Sequence, residues 1–182
     1  QGLGSFSKKY RQREQATIFR YAITPISKLC GLISFVDGAD TMFSLISDYR
    51  QMHSINVFSE LDIETSFAAP NIDSMTPIQR LEAMQEAISR TSDDDLRHVM
   101  WLKSPSSTVW IRRIAQFAQS SAVMSIVGYV LGIGDRHPSN IMIHRYTGKV
   151  IHIDFGDSFE VSMKRKFFPE KIPFRLTRMM IK

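Results

Sequence analysis

An aspartate, an asparagine five residues later and a second aspartate just beyond a hairpin-like stretch constrain this chain most: Asp135, Asn140 and Asp154. Between the last two lie the apolar run Ile141-Met142-Ile143, the turn Tyr146-Thr147-Gly148 and the run Val150-Ile151-His152-Ile153. Two short strand-like runs around a Gly-containing turn predict an antiparallel hairpin. A hairpin brings the chain back to where it started, so Asn140 and Asp154 arrive at the same end. Pro138 stiffens the preceding loop, from which Asp135 and Asn140 are expected to face one cleft. Two oxygen donors at one hairpin end suit a hard cation that keeps its waters and shares phosphate oxygens. Taken singly, Gly134-Asp-Arg-His137 and Asp154-Phe-Gly156 read as ordinary polar turns. Their joint spacing, with an apolar hairpin between, points to a built site.

That spacing is the one phosphoryl transfer from ATP uses. In protein kinases a catalytic-loop Asp meets the substrate hydroxyl and an Asn five residues on holds Mg²⁺. The Asp of Asp-Phe-Gly holds the metal that bridges the phosphates. Ordinary protein kinases write His-Arg-Asp before the gap, whereas here the order is Asp135-Arg136-His137. That inversion, within Leu131-Gly-Ile-Gly-Asp-Arg-His-Pro-Ser-Asn140, resembles the phosphoinositide 3-kinase-related superfamily. Trp101-Leu-Lys-Ser-Pro-Ser-Ser107, Ala122-Val-Met-Ser-Ile-Val-Gly-Tyr129 and Phe168-Pro-Glu-Lys-Ile-Pro-Phe-Arg-Leu-Thr-Arg178 resemble its target-of-rapamycin kinases in particular. The likeness is dense from about Arg20 onward and thin over Gln1–Gln15.

The resemblance implies an α+β, protein-kinase-like fold of the phosphoinositide-kinase type and a Ser/Thr protein kinase using ATP with Mg²⁺ or Mn²⁺. It implies that residues 1–36 are the end of the N-lobe leading to the hinge, and that 37–182 are a partial, mostly helical C-lobe. Within the latter fall an insertion at about 55–90, a catalytic loop at 134–140, Asp-Phe-Gly at 154–156 and an activation-loop-like segment at 157–178. By resemblance Asp135 is the catalytic Asp, His137 acts near the reacting phosphoryl group, and Asn140 and Asp154 hold the metal. Val36 resembles the hinge residue whose backbone meets adenine, with Phe35 where the family usually has Trp. Met142 and Ile153 resemble the apolar floor of the adenine pocket. From the residues alone, a loop His that caps a backbone group is the other reading of His137. Arg136 reads as structural, and Phe35, Val36, Met142 and Ile153 read as core of a buried strand or hairpin. Asp135, Asn140 and Asp154 stand without the family.

Several parts that kinases need are not in this sequence. It has nine Gly, and none forms a glycine-rich phosphate loop; Gly2-Leu3-Gly4 is not followed by a strand bearing Lys. No Val-Ala-Ile-Lys-like strand precedes Phe35. Those parts cover the phosphates and supply the Lys–Glu pair. The expectation is an incomplete catalytic domain.

One cysteine, Cys30, excludes an internal disulfide framework and fits a reducing compartment. Cytoplasm is the expected location, with endomembranes or the nucleus as alternatives. No signal peptide is evident. The run Ala122–Ile133 is too short to span a membrane and reads as buried helix, so only peripheral membrane association is expected. The net charge is +5, with basic residues at Lys8, Lys9, Arg11 and Arg13 and again from Lys164 to Lys182. No nucleic-acid motif accompanies them, so no nucleic-acid partner is expected.

Periodicity predicts paired strands at Phe19–Ile26 and Leu32–Val36. It predicts a helix over Thr41–Gln51 capped by Asp40, and an irregular polar segment over Ser59–Met75. A helix Pro77–Arg90 follows, with Thr76 as cap and a first-turn proline. A shorter helix capped among Asp93–Asp95 ends near Leu102. A long helix opens at Ser106 or Ser107 and runs to about Leu131, its middle, Ala118–Tyr129, buried at the centre of the C-lobe. In target-of-rapamycin kinases the place of 55–90 holds an insertion that binds a small WD-repeat β-propeller subunit, which implies such a partner within a larger signalling complex. Phe58-Ser-Glu-Leu-Asp-Ile-Glu64 departs from the family pattern there, and a plain surface insertion is the other reading.

Two rivals differ in class from a protein kinase. A lipid kinase of the same superfamily would use a basic activation loop to hold phosphorylated inositol, as Lys164-Arg165-Lys166 can, although Asp157, Glu160 and Glu170 dilute that charge. A non-catalytic binding module would not need Asp135, Asn140 and Asp154 together. Because the phosphate loop and its Lys are not among these residues, the 182-residue chain alone is expected to show negligible phosphoryl transfer. A purified chain phosphorylating a peptide at a normal kinase rate overturns that.

Overall fold

The computed structural model describes residues 17–67, 75–166 and 169–182. The expectation for Gln1–Gln15, the first basic cluster and Phe168 lie outside the described residues, as does part of the segment expected to be irregular. The described chain mixes strands and helices.

A two-stranded hairpin, β1 (Ile23–Ser27) and β2 (Cys30–Ile33), comes first. It is shorter than periodicity predicts and carries a bulge between Pro25 and Ser27. Every residue of both strands is exposed. The apolar pattern there therefore marks strand formation and not core, since burial has to come from a neighbour that these strands lack among the described residues.

A second, three-stranded antiparallel sheet runs in the order β3 (Ala39–Thr41), β4 (Ile141–His144) and β5 (Val150–His152). Its register sets Thr41 opposite Met142, and Met142 opposite Ile151. The predicted hairpin is β4–β5, and β3 joins it from a hundred residues upstream. Asp40 is paired inside this sheet instead of capping a helix. Its carboxylate takes two hydrogen bonds from Arg145, at 2.8 and 2.7 Å, and this pairing holds it below the usual carboxylate range. Helix α1 (Met42–Met52) is capped by Thr41, whose Oγ1 accepts from the Ser44 N–H at 3.1 Å.

Helix α2 (Ser59–Phe67) forms where an irregular segment is expected. It buries no residue, so no apolar stripe announces it. Helix α3 (Pro77–Arg90) begins with the expected Thr76–Gln79 capping box and first-turn Pro77. Helix α4 (Asp95–Leu102) has Asp94 at its cap position without a side-chain cap bond. The nearby acid Asp95 is instead buried beside Arg50, Oδ2 accepting from Nε at 2.7 Å.

Helix α5 (Ser107–Leu131) starts at Ser106, whose Oγ accepts from the Val109 N–H, and stops at Gly132 in a left-handed conformation, φ +58°. By length and composition α5 is apolar enough to cross a membrane. The shorter run Ala122–Ile133 misses this because the apolar turns begin near Val109. Its buried residues, Gln116, Phe117, Ser120, Met124 and Gly128, follow the spacing of a helix packed on a protein core along one stripe. The expected burial of Ala118–Tyr129 is thus confined to one face; Tyr129 is 68% exposed. Ser120 links helix to sheet, its hydroxyl accepting from the buried Val150 N–H at 2.8 Å. A final short helix, α6, spans Arg178–Ile181.

The main core joins α1, α4, α5 and the β4–β5 hairpin through Met42, Leu45, Leu96, Val99, Phe117, Ile141, Ile143 and Val150. At its edge Arg50 is 3% exposed. It donates to Asp95, to both oxygens of Glu60 at 2.6 Å, and to the Val57 carbonyl. Glu60 also meets Arg178 at 3.0 Å. Burial pushes the Glu60 carboxyl up, but the bonds from Arg50 outweigh it and hold the pKa at about 2. This network ties α2, which packs along α3, to the edge of the main core.

Removing the cation should therefore unfold much of this region. Arg50→Ala is expected to cost about 3–5 kcal/mol, because Asp95 is left buried and unpaired. A urea denaturation midpoint close to wild type argues against it. A second prediction concerns acid. Burial, then the charge of Arg136, lowers the His152 pKa from 6.5 to about 4. The unfolded chain binds the proton first, so stability is full above about pH 6.5 and falls as pH drops toward 4, by roughly 3 kcal/mol. His152→Gln should flatten that limb of the stability–pH curve; an unchanged limb assigns it to other groups.

Candidate active site

The sheet builds the site by continuing its ladder one pair beyond the strands. Ile141 faces His152, and the Ile153 N–H then donates to the Asn140 carbonyl at 3.1 Å. Asn140 and Asp154 therefore emerge together at the loop end of β4–β5, as the hairpin reading requires. The loop is also tied to the core from behind, where the Phe43 N–H at the start of α1 donates to the Pro138 carbonyl at 3.1 Å. A helix-start N–H lacks an intrahelical partner, so this contact satisfies both ends.

Asn140 is buried, 6% exposed. Its Nδ2 donates to the Asp135 carbonyl at 2.9 Å, which leaves Oδ1 to face a cation. Asp154 is exposed, with Oδ1 accepting from the Gly156 N–H at 3.3 Å. The donor set is thus one neutral amide oxygen and one carboxylate. Among the described residues no group of three or more His, Cys, Asp or Glu could hold a metal. An open two-oxygen set fits a cation that takes its other ligands from water and phosphate, and does not fit a closed protein cage.

Asp135 and Asp154 both sit at positive φ, +57° and +56°. Only Ser54, Phe159 and Glu160 share this among the described non-glycine residues. Asp tolerates the left-handed region better than most residues but still carries strain there. His137 Nε2 lies 4.0 Å from Asp135 Oδ2. Its Nδ1 accepts from the Ser139 N–H at 3.3 Å, so His137 caps a backbone group and faces Asp135 at once. With Nδ1 accepting, the ring proton belongs on Nε2, toward the carboxylate.

Two residues matter here that sequence reasoning did not place in the site. Arg136 is buried between the segments, 5% exposed. It donates to the Gly134 carbonyl and the Ile153 carbonyl, each at 2.8 Å, and to the Asp154 carbonyl. Its guanidinium lies over the Phe155 ring at 5.5 Å. Burial lowers its pKa, and Asp135, Asp154 and Glu170 counter that. Glu170 reaches in from the segment after Gly156, its Oε2 accepting from the Asp135 N–H at 2.8 Å. The contacts that join the segments have no local sequence signal, because their partners are 17 to 35 residues apart.

That following segment folds back on the end of α5. Gly134 N–H donates to the Asp157 carbonyl at 2.7 Å, Phe159 N–H to Leu131 at 2.8 Å and Glu160 N–H to Gly132 at 3.0 Å. A Cβ on Gly132 would lie 2.7 Å from the Glu160 nitrogen, and one on Gly134 would collide with the buried Ser162 side chain. The glycines of Gly132-Ile-Gly134 are thus needed for close backbone approach.

The four residues resembling an adenine pocket are placed as follows. Val36 is buried with Ala39 and Ile151, and Met142 packs against them. Ile153 is half-buried just past β5, while Phe35 is 88% exposed. Val36 and Met142 are brought together; the Phe35 ring faces out. A cavity of about 640 Å³ lies elsewhere, between α1, α2, α3 and residues 172–179, and shares only Pro138 with the loop.

Comparison with known proteins gives the family. The family model described as phosphatidylinositol 3- and 4-kinase matches residues 5–182. The Drosophila melanogaster serine/threonine-protein kinase mTor is 51% identical over 93% of this chain, and Schizosaccharomyces pombe serine/threonine-protein kinase tor1 is 50% identical over 93%. Arabidopsis thaliana serine/threonine-protein kinase TOR is 48% identical over 97%. The alignments cover 7% of each of those relatives. A solved structure, the FAT and kinase domain of CtTel1, superposes on 90% of this chain and 11% of its own with a TM-score of 0.75 and 27% identity. The chain belongs to the phosphatidylinositol 3- and 4-kinase family, as a partial kinase domain similar to the kinases named TOR.

Proposed function

We propose that this chain is the catalytic-loop portion of a target-of-rapamycin-like Ser/Thr protein kinase, which moves the γ-phosphoryl group of ATP to protein hydroxyls. The observation that carries the reading is the delivery of Asn140 and Asp154 to one hairpin end, with Asp135 fixed against Asn140. In this reading residues 1–36 close the N-lobe at the hinge and 37–182 belong to the C-lobe. Asp135 orients the acceptor hydroxyl and receives its proton. His137, with its Nε2 proton toward that carboxylate, supports charge at the reacting oxygens. Asn140 Oδ1 and the Asp154 carboxylate hold Mg²⁺ or Mn²⁺, which when bound neutralises charge developing on the phosphates. Val36 offers its backbone to adenine, with Phe35 beside it and Met142 and Ile153 beneath. Catalysis of this kind is positioning and electrostatics.

The insertion at about 55–90 is proposed as the seat of a WD-repeat β-propeller subunit within a larger complex. Exposed Phe58, Leu61, Ile78 and Leu81 on α2, α3 and the turn before α2 support a covered surface there. Cytoplasm, endomembranes or the nucleus is the proposed place of action.

The lipid-kinase alternative draws on the family's own description. Against it, Arg165 is engaged internally, paired with Asp157 and 3.9 Å from Glu170. That leaves Lys164 and Lys166 as the exposed cations of the trio, too few to hold a multiply phosphorylated headgroup strongly.

The test uses the full-length protein on a peptide and on phosphoinositide vesicles. Asp154→Ala is expected to lower peptide phosphorylation by at least about 100-fold with the thermal melt unchanged. Replacing Lys164 and Lys166 by Ala should leave peptide turnover within about tenfold, since exposed charges contribute little each. Vesicle phosphorylation that alone disappears in the double variant makes the lipid kinase the correct reading.

A further inference from the structure

Asp135 is held in the left-handed region by bonds to every backbone group around it. Its carbonyl accepts from Asn140, the Gly134 carbonyl accepts from Arg136, and the Gly134 N–H donates to Asp157. Its own N–H is the remaining group, and it donates to Glu170 Oε2 at 2.8 Å. Each of the first three partners lies in the catalytic loop or directly after Asp-Phe-Gly. Glu170 alone comes from far down the following segment.

Glu170 is itself located with care. Its N–H donates to the Ser162 carbonyl at 3.2 Å, and Ser162 is 1% exposed, seated where Gly134 has no side chain. Arg165 stands 3.9 Å from Oε1, which leaves Oε2 turned toward Asp135. Proline on its N-terminal side restricts the backbone that presents it. A strained residue persists only while its surroundings over-determine it. Loss of the Glu170 acceptor frees the Asp135 peptide plane to leave φ +57°, and the carboxylate swings with it.

We propose that Glu170 is a positioning residue: by accepting from the Asp135 N–H it aims the Asp135 carboxylate, and so makes catalysis depend on where the segment after Asp-Phe-Gly lies. The proposal rests on the kinase reading for its consequence but not for its geometry. When Pro169–Lys171 is displaced, the acceptor leaves and the Asp135 carboxylate loses its aim.

The experiment compares Glu170→Ala, Glu170→Gln and Glu170→Lys in the full-length protein. Ala and Lys, which offer no acceptor, are expected to lower kcat on a peptide by about 10- to 100-fold, the scale of a misplaced reacting group. KM for ATP should stay within about twofold, because adenine and metal contacts are untouched. Gln keeps an acceptor oxygen and should recover most of the loss, to within about fivefold of wild type. Amide hydrogen exchange read on peptides covering Gly134–Ser139 should quicken at Asp135 in Ala and Lys by at least about tenfold, and much less in Gln. Two results overturn the proposal. One is unchanged exchange at Asp135 in Glu170→Ala. The other is Gln as impaired as Ala and Lys, which would assign the effect to charge. If the wild-type protein phosphorylates no peptide, the protein-kinase reading fails, and exchange at Asp135 still decides this inference.

Discussion

The site depends on one buried cation. Arg136 donates to carbonyls on both of the segments that carry acids, Gly134 on one side and Ile153 and Asp154 on the other. A buried guanidinium is costly unless its donors are satisfied, and leaving one segment would strip two of its three carbonyls. Separation of the catalytic loop from Asp-Phe-Gly is therefore opposed by desolvation of the arginine itself. The positive charge also sits between Asp135 and Asp154, which would otherwise repel across a small cleft. Lys could not do this, since it lacks the planar fork that reaches carbonyls on two segments.

Around this cation the backbone is strained where the chemistry is. Asp135 and Asp154 both lie at positive φ, and both are followed by residues that depend on their turn: Arg136 behind one, Phe155 and Gly156 behind the other. The two turns are coupled through the arginine, whose guanidinium covers the Phe155 ring. A relaxed backbone at either position would send the carboxylate to another face. The strain is held by hydrogen bonds and by the sheet behind, where Ile141, Ile143 and Val150 sink into the main core. Core packing thus acts on the site through the register of β4 and β5.

How much of this was legible follows from the range of each interaction. Caps and pairings between near neighbours in the chain could be read: Thr76 with Gln79, Ser106 with Val109, and the β4–β5 hairpin with Asn140 and Asp154 at its end. Acids that found distant partners misled. Asp40 has the chemistry of a helix cap, but Arg145 lies 105 residues on and takes both its oxygens, so Thr41 caps instead. Asp95 likewise serves Arg50 across 45 residues. Helix α2 has no buried face to give a period, and its anchor is Glu60 against Arg50 and Arg178. Glu170 read as a charge that dilutes a basic segment; only the folded chain puts it on the Asp135 N–H.

The glycines preceding Asp135 explain why the segment after Asp-Phe-Gly can be sensed at all. Gly128, Gly132 and Gly134 lie at the end of α5 and just past it, and each meets that segment's backbone or a buried side chain at a distance no Cβ would allow. The helix end, the catalytic loop and parts of residues 157–166 and 169–174 are therefore in backbone contact, with no flexible side chains between them to absorb displacement. Hydrogen bonds from Gly134, Phe159 and Glu160 register the segment against α5, and the Glu170 carboxylate then closes the loop at Asp135. Close-packed backbone transmits small shifts instead of damping them. A shift of the segment along α5 cannot leave Asp135 where it was, and this follows from the absence of three side chains as much as from the presence of one carboxylate.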